Sequence, residues 1–209
     1  MERQEVSKRG EPVGRKFPKV DSKLNLALDA AETSEENVVN LEILNAKQVH
    51  LADEDIASIV EIECHPKVQE WLYEYVNLGV KKELHDYQGF FRKLPKNKKA
   101  DILVAKCDGR VVGFLGLWRL GAYMEHVATI GVSVHPYYWG KGVATQLIKS
   151  AIELAREKEI RRLEVETLSE NAPMRSVAEK VGFKLESIRK KRIKKGRLYH
   201  DEAAYFLSL

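Results

Sequence analysis

Cysteine is scarce in this 209-residue chain. Cys64 and Cys107 stand alone, with no CxxC pair and no Cys/His cluster, so no metal site is expected. Two lone thiols with no export signal fit a reducing cytoplasm. Long apolar runs are missing as well. The longest, Val111 to Trp118, is broken by two glycines and falls far short of the roughly 18 residues of a membrane helix. Met1 to Lys16 is charged from the start and has no apolar core, which argues against a secretory signal. Net charge is only +4, from 35 Lys/Arg and 31 Asp/Glu, so nothing points to a dedicated nucleic-acid binder. What the chain has in excess is charge, at 32% of residues beside 44% hydrophobic. At this length that suits one soluble domain with an appendage.

The appendage is residues 1–40. Met1 to Lys23 mixes seven Lys/Arg with four Asp/Glu and is interrupted by Gly10, Pro12, Gly14 and Pro18. It reads as a charged extension, disordered or docking, with a short helix from Ser22 to Ala31. Residues 41–209 carry the periodicities of an α/β domain. Leu41 and Ile43 alternate in a first strand. Asp53 looks like the N-cap of a helix bearing Ile56, Ile59 and Val60, and Pro66 opens a second helical stretch from Val68 to Tyr75. A third helix spans Lys82 to Leu94. Asp108-Gly109 joins Ile102–Lys106 to Val111–Trp118 as a hairpin. Then follow a strand at Val127–Val134, a helix from Gly140 to Lys158 and a strand around Leu163–Thr167. A helix from Ala172 to Val181, stopped by Gly182, and a final strand pair, Phe183–Ile193 and Leu198–Leu207, complete the domain. The order predicts a mixed sheet flanked by helices.

The stretch Ile130 to Ile148, IGVSVHPYYWGKGVATQLI, runs from strand through a glycine loop into a helix. A helix start offers unpaired N–H groups and the positive end of its dipole, and glycines let a phosphate approach the backbone. Neither a P-loop nor a dinucleotide fingerprint is present. A phosphate site and a simple tight turn both stay open on this segment alone.

Trp139-Gly140-Lys141-Gly142-Val143-Ala144 after a strand resembles the acyl-CoA loop of the GCN5-related N-acetyltransferases. So does Asn171 with Gly182-Phe183 eleven residues on, and so does the ending from Gly196 through Asp201 to Tyr205. The branch that it resembles is that of the ribosomal-protein alanine N-acetyltransferases, and the similarity covers residues 41–209. It implies the acyl-CoA N-acyltransferase fold, in which the central strands splay apart around the pantetheine arm. It also implies acetyl-CoA as co-substrate, with Val132, Ser133, Val134, Trp139, Gly140, Lys141, Gly142, Val143, Ala144, Thr145 and Asn171 on the cofactor.

Chemistry by direct attack of an amine needs a proton acceptor and a donor for the leaving thiolate. Counting back from Pro136, the family's usual Glu falls on His126, with Glu125 and Glu166 as substitutes. The usual Tyr donor falls on Ala178, so the standard acid is missing. The acceptor expected from the branch is a protein or peptide N-terminal amine. A polyamine, amino acid or antibiotic stays open, as does a weakly catalytic acyl-CoA-binding or RNA-associated module. Between Lys184 and Arg197 stand eight Lys/Arg and one Glu. That run reads as a solvated hairpin near the substrate or, alternatively, as a contact for ribosomal RNA. Monomer and homodimer are both compatible.

Overall fold

The computed structural model describes residues 40–72 and 80–209. The expected helix at Ser22–Ala31 and the rest of the extension lie outside the described residues, as does the end of the stretch expected to be helical through Tyr75. Among the described residues, seven strands form one sheet in the order β1-β2-β3-β4-β5-β7-β6. They are β1 (Leu41–Asn45), β2 (Ala100–Cys107), β3 (Arg110–Arg119), β4 (Val127–Val134), β5 (Arg162–Leu168), β6 (Lys184–Lys195) and β7 (Leu198–Ser208). Only β4 and β5 are parallel neighbours; every other pair is antiparallel. The helices are α1 (Asp53–Cys64), α2 (Pro66–Gln69), α3 (Val80–Lys93), α4 (Val143–Glu157) and α5 (Ala172–Lys180).

Each sheet face has its own core. On one, Val143, Leu147, Ile148, Ala151, Ile152 and Ala155 of α4 recur at helical spacing. They pack on Leu115, Leu117, Ala128, Ile130, Leu163 and Val165, joined by Ala178 of α5. Leu147 and Ile148 are fully buried, worth roughly 1.5–3 kcal/mol each in removed apolar surface. On the other face, Ile56, Ile59 and Ile62 of α1 cover Ile102, Val104, Val111 and Phe114, with Leu84, Tyr87 and Phe91 of α3 against them. This second layer sits over β2 and β3.

Local chemistry moves several boundaries from where the sequence suggested. Ala52, not Asp53, is the N-cap of α1, because the Asp55 carboxylate reaches back to the Ala52 N–H at 3.2 Å. Asp53, Glu54 and Asp55 then fill the first turn, where acids suit the helix dipole. The second helical stretch is short, Pro66–Gln69, and is capped by His65 Nδ1 accepting from Lys67 N–H. The hairpin turn forms as expected, with φ of 50° at Asp108 and 78° at Gly109, the mirror-image turn that two-residue hairpins prefer. A bulge follows at Val112, between the Lys106–Val111 and Ala105–Gly113 pairs.

Candidate active site

β4 and β5 pair only at Val127–Arg162, Ala128–Leu163 and Thr129–Glu164. Beyond Thr129 the strands part. β5 continues beside β7 as far as Leu168, while Ile130 to Val134 keep only β3. The expected splay is therefore in place. Hydrogen-bond parity tells which groups face it. Val127 C=O accepts from Leu120, and His135 N–H donates to Val112 C=O across the β3 side. N–H and C=O of one strand residue point the same way and alternate along the strand. Odd-numbered residues thus serve β3, and Ile130, Val132 and Val134 present their main-chain groups to the gap. Ser133, expected on the cofactor, is a correction: its backbone faces β3 and its side chain is buried on the face away from α4.

The bare edge leads into the loop. The Trp139 indole N–H donates to Val134 C=O at 2.7 Å, tying the loop to the end of β4. Gly140 and Gly142 have φ of +75° and +80°, a region that a side chain makes costly. That is why α4 starts at Val143 and not at Gly140. Gly142 is its N-cap, and the first intrahelical bond runs from Gln146 N–H to Gly142 C=O. The amides of Val143, Ala144 and Thr145 precede that bond and have no partner within the helix. Lys141, expected as a point charge on phosphate, places its ammonium 4.0 Å from the centre of the Tyr137 ring.

Asn171, expected on the cofactor, caps its own helix. Its Oδ1 accepts from Met174 N–H at 3.2 Å and its Nδ2 donates to Thr167 Oγ1 at 3.1 Å. Both polar ends serve as cap and anchor of α5, and the residue is 9% exposed.

The three candidate proton acceptors are not together. Glu125 and His126 are exposed and sit just before β4, at the joined end. The His126 carbonyl takes the N–H groups of Arg161 and Arg162 and so fastens the two strands there. At about 3.3 Å per residue, His126 lies roughly 20 Å along the strand from Val132. Glu166 is placed differently. Continuing the Thr129–Glu164 register by two residues puts Glu166 opposite Gly131 across the gap, on the sheet face away from α4. Its carboxylate is ion-paired with Arg189, which also bonds Glu202 at 2.6 Å. These two carboxylates raise the Arg189 pKa above its ordinary value.

Cys107 is not set up as a nucleophile. Burial, then the neighbouring Asp108 carboxylate, pushes the Cys107 thiol up, which disfavours the reactive thiolate. Its neighbour Tyr138 is pushed up as well, chiefly by burial. Among the described residues no cluster of three or more His, Cys, Asp or Glu could hold a metal, and no helix is long and apolar enough to cross a membrane. In the basic stretch of β6, Arg189, Lys190 and Arg192 pair with Glu166, Asp201 and Glu202, and Lys195 donates to the Glu70 carbonyl at 2.6 Å. Part of that charge is thus engaged within the fold.

Two features beside the gap escaped the sequence reading. One is the main chain of Ile130. The other is Trp118, whose ring lies over Gly116 and Gly131. The two glycines in neighbouring strands were visible, but their register was not.

A sequence model of the Acetyltransferase (GNAT) domain family matches residues 49–184. The chain belongs to that family and is an acetyl-CoA-dependent N-acetyltransferase. A relative from Bacillus subtilis (strain 168), named "Putative ribosomal protein bS18-alanine N-acetyltransferase", is 29% identical over 137 residues, which is 66% of this chain and 80% of the relative. The L-amino acid N-acetyltransferase AaaT of Escherichia coli (strain K12) is 33% identical over 108 residues, 51% of this chain and 65% of that protein. Among solved structures, yncA from Salmonella typhimurium, determined with its cofactor acetyl-CoA, superposes with a TM-score of 0.66 at 22% identity, covering 81% of this chain and 94% of that one.

Proposed function

We propose that this enzyme transfers the acetyl group of acetyl-CoA to the α-amine at the N-terminus of a protein or peptide. The observation that carries the reading is the bare edge of β4, which ends at the unpartnered amides of α4 and faces Glu166. The residues present suit the co-substrate. Ile130, Val132 and Val134 offer main-chain donors and acceptors at strand spacing, so a pantetheine arm can add there as a strand would. Val134 C=O already accepts one bond, from Trp139. The amides of Val143, Ala144 and Thr145, with the positive end of α4, suit a pyrophosphate. Gly140 and Gly142 have nothing within 4 Å of where a Cβ would stand, so the approach is open. Acetyl-CoA, when bound, supplies an acyl thioester that a neutral amine attacks directly.

The chain has two tasks in that attack. The Val132 N–H, aimed into the gap, polarises the thioester carbonyl and holds the charge that develops on its oxygen. Glu166 orients the acceptor ammonium and takes its proton, directly or through water. Its position across from Gly131 favours it over His126 and Glu125, which stand at the joined end. No side chain is assigned to protonate the thiolate. Ala178, where the family's tyrosine would stand, is 1% exposed in the core, and a thiol pKa near 8.5 lets water serve.

The Bacillus relative, named for alanine of a ribosomal protein, supports a protein N-terminus. The Escherichia coli relative, named for L-amino acids, favours a second reading in which the α-amine is that of a free amino acid. Thiol release from acetyl-CoA, followed with N-terminal peptides, free amino acids and polyamines, decides among them. The peptides should have the highest kcat/KM. Faster turnover of free amino acids would replace the first reading with the second, and preference for polyamines would remove both.

A further inference from the structure

Trp118 is 41% exposed although it lies in the middle of the sheet order, on β3. Its side chain is on the face away from α4, paired across to Thr129. The indole does not stand up from the sheet. It folds back over Gly116 and Gly131, which are register partners on adjacent strands. A Cβ at Gly116 would lie 2.1 Å from the ring, and one at Gly131 would lie 3.3 Å from it. Two glycines side by side thus make a notch, and the ring lies in it as a rigid apolar plate with one surface outward. Beside the plate, across the β4–β5 gap from Gly131, stands Glu166, with Thr129 and Glu164 on the same face.

An aromatic surface held flat next to a carboxylate is chemistry for an amine with carbon around it. The carboxylate takes the ammonium, and the ring takes the apolar group attached near it. Resting on the acceptor side proposed above, we infer that Trp118 is the floor of the acceptor pocket and a specificity-determining residue. It selects α-amines whose own side chain is apolar or aromatic over glycine-like amines and polyamines. The plate serves binding and not chemistry, so its contribution belongs in the acceptor KM. The occupant is the first residue of the acceptor, whose α-amine and side chain branch from one carbon and so meet a carboxylate and a plate on the two sides of one gap.

The three tryptophans, Trp71, Trp118 and Trp139, give a direct test. In 15N-labelled full-length protein, the indole N–H signals are assigned with single Trp→Phe variants. Phenylalaninamide, glycinamide and coenzyme A are then titrated separately. Phenylalaninamide is expected to move the Trp118 signal at concentrations at least tenfold below those glycinamide requires, and coenzyme A to move Trp139. In turnover assays Trp118→Ala should raise the KM for phenylalaninamide at least tenfold more than it raises the KM for glycinamide. A Trp118 signal that ignores both amines, or answers both equally, overturns the inference even if Trp118→Ala fails to fold. So does a signal that follows protein concentration instead of amine, which would assign the face to a second copy. A Trp139 signal silent to coenzyme A would instead count against the cofactor site, and Trp118 would still be judged on its own response.

Discussion

The two halves of β4 have the same kind of residues and different surroundings. Val127 to Thr129 lie between β3 and β5, with ladder bonds available on both sides. Ile130 to Val134 keep β3 alone and leave a row of main-chain groups facing a gap. A backbone group left dry and unbonded costs about 1–3 kcal/mol. The open half therefore persists because water or a ligand reaches it, and the closed half holds the strands together. In the function proposed above, binding and positioning fall to the open half, and the closed half is scaffold. His126 and Glu125 belong to the scaffold end, whereas Glu166 belongs to the open end.

The sharpest way to break this comparison is at the proton acceptors. Glu166→Gln keeps an acceptor for Arg189 but removes the base. It should lower kcat by about 100-fold with the calorimetric Kd for acetyl-CoA unchanged. His126→Ala should stay within about threefold. The reverse ranking would return the base to the closed end.

The next effect concerns the loop that the open half feeds. Gly142→Asp puts a negative charge where phosphate approaches, on a backbone with φ of +80°. Acetyl-CoA should bind at least tenfold more weakly, about 1.4 kcal/mol. Calorimetry checks the affinity and a melting curve separates it from lost folding. Unchanged affinity in a folded variant would remove the pyrophosphate assignment.

A smaller effect concerns His135, which closes the open half, and His65, whose ring meets it edge-on at 5.5 Å. Burial holds both imidazoles below their ordinary pKa. The unfolded chain then binds protons that the folded chain does not. Stability is full above about pH 6.5 and declines as pH falls from there through the lowered folded values. The Tm should drop between about pH 7.5 and pH 5.5. The double variant His65→Asn, His135→Asn keeps an acceptor for the Lys67 and Tyr137 amides and should flatten that slope. A slope unchanged in the double variant would place the titration elsewhere.

The smallest effect is expected at the thiols. The double variant Cys64→Ser, Cys107→Ser should keep most of its turnover. Covalently acetylated enzyme trapped by mass spectrometry would point to a two-step route instead.

Much of this was legible in the chain. The alternation of Val127–Val134, the Asp108-Gly109 turn and the apolar stripe of α4 each state a local preference, and each element formed close to where its pattern placed it. Boundaries moved where one atom outweighed the pattern, as when the Asp55 carboxylate drew the start of α1 back to Ala52. The loop from Trp139 to Ala144 could be read as an anion site because its glycines and helix start are consecutive residues. Asn171 was legible as polar and near the site, but whether it met a ligand or its own helix depended on Thr167 and Met174 being within reach.

The sequence by itself determined the layers, the strand that leads into the glycine loop and the helix start that ends it, because these depend on neighbours in the chain. Tertiary structure alone decided which half of β4 is bare, that Ser133 faces away, that Glu166 stands across from Gly131, and that Trp118 lies flat on two glycines. Each of those facts depends on the register between neighbouring strands. Shifting a register by one residue turns every side chain to the other face, and no local pattern on either strand records it.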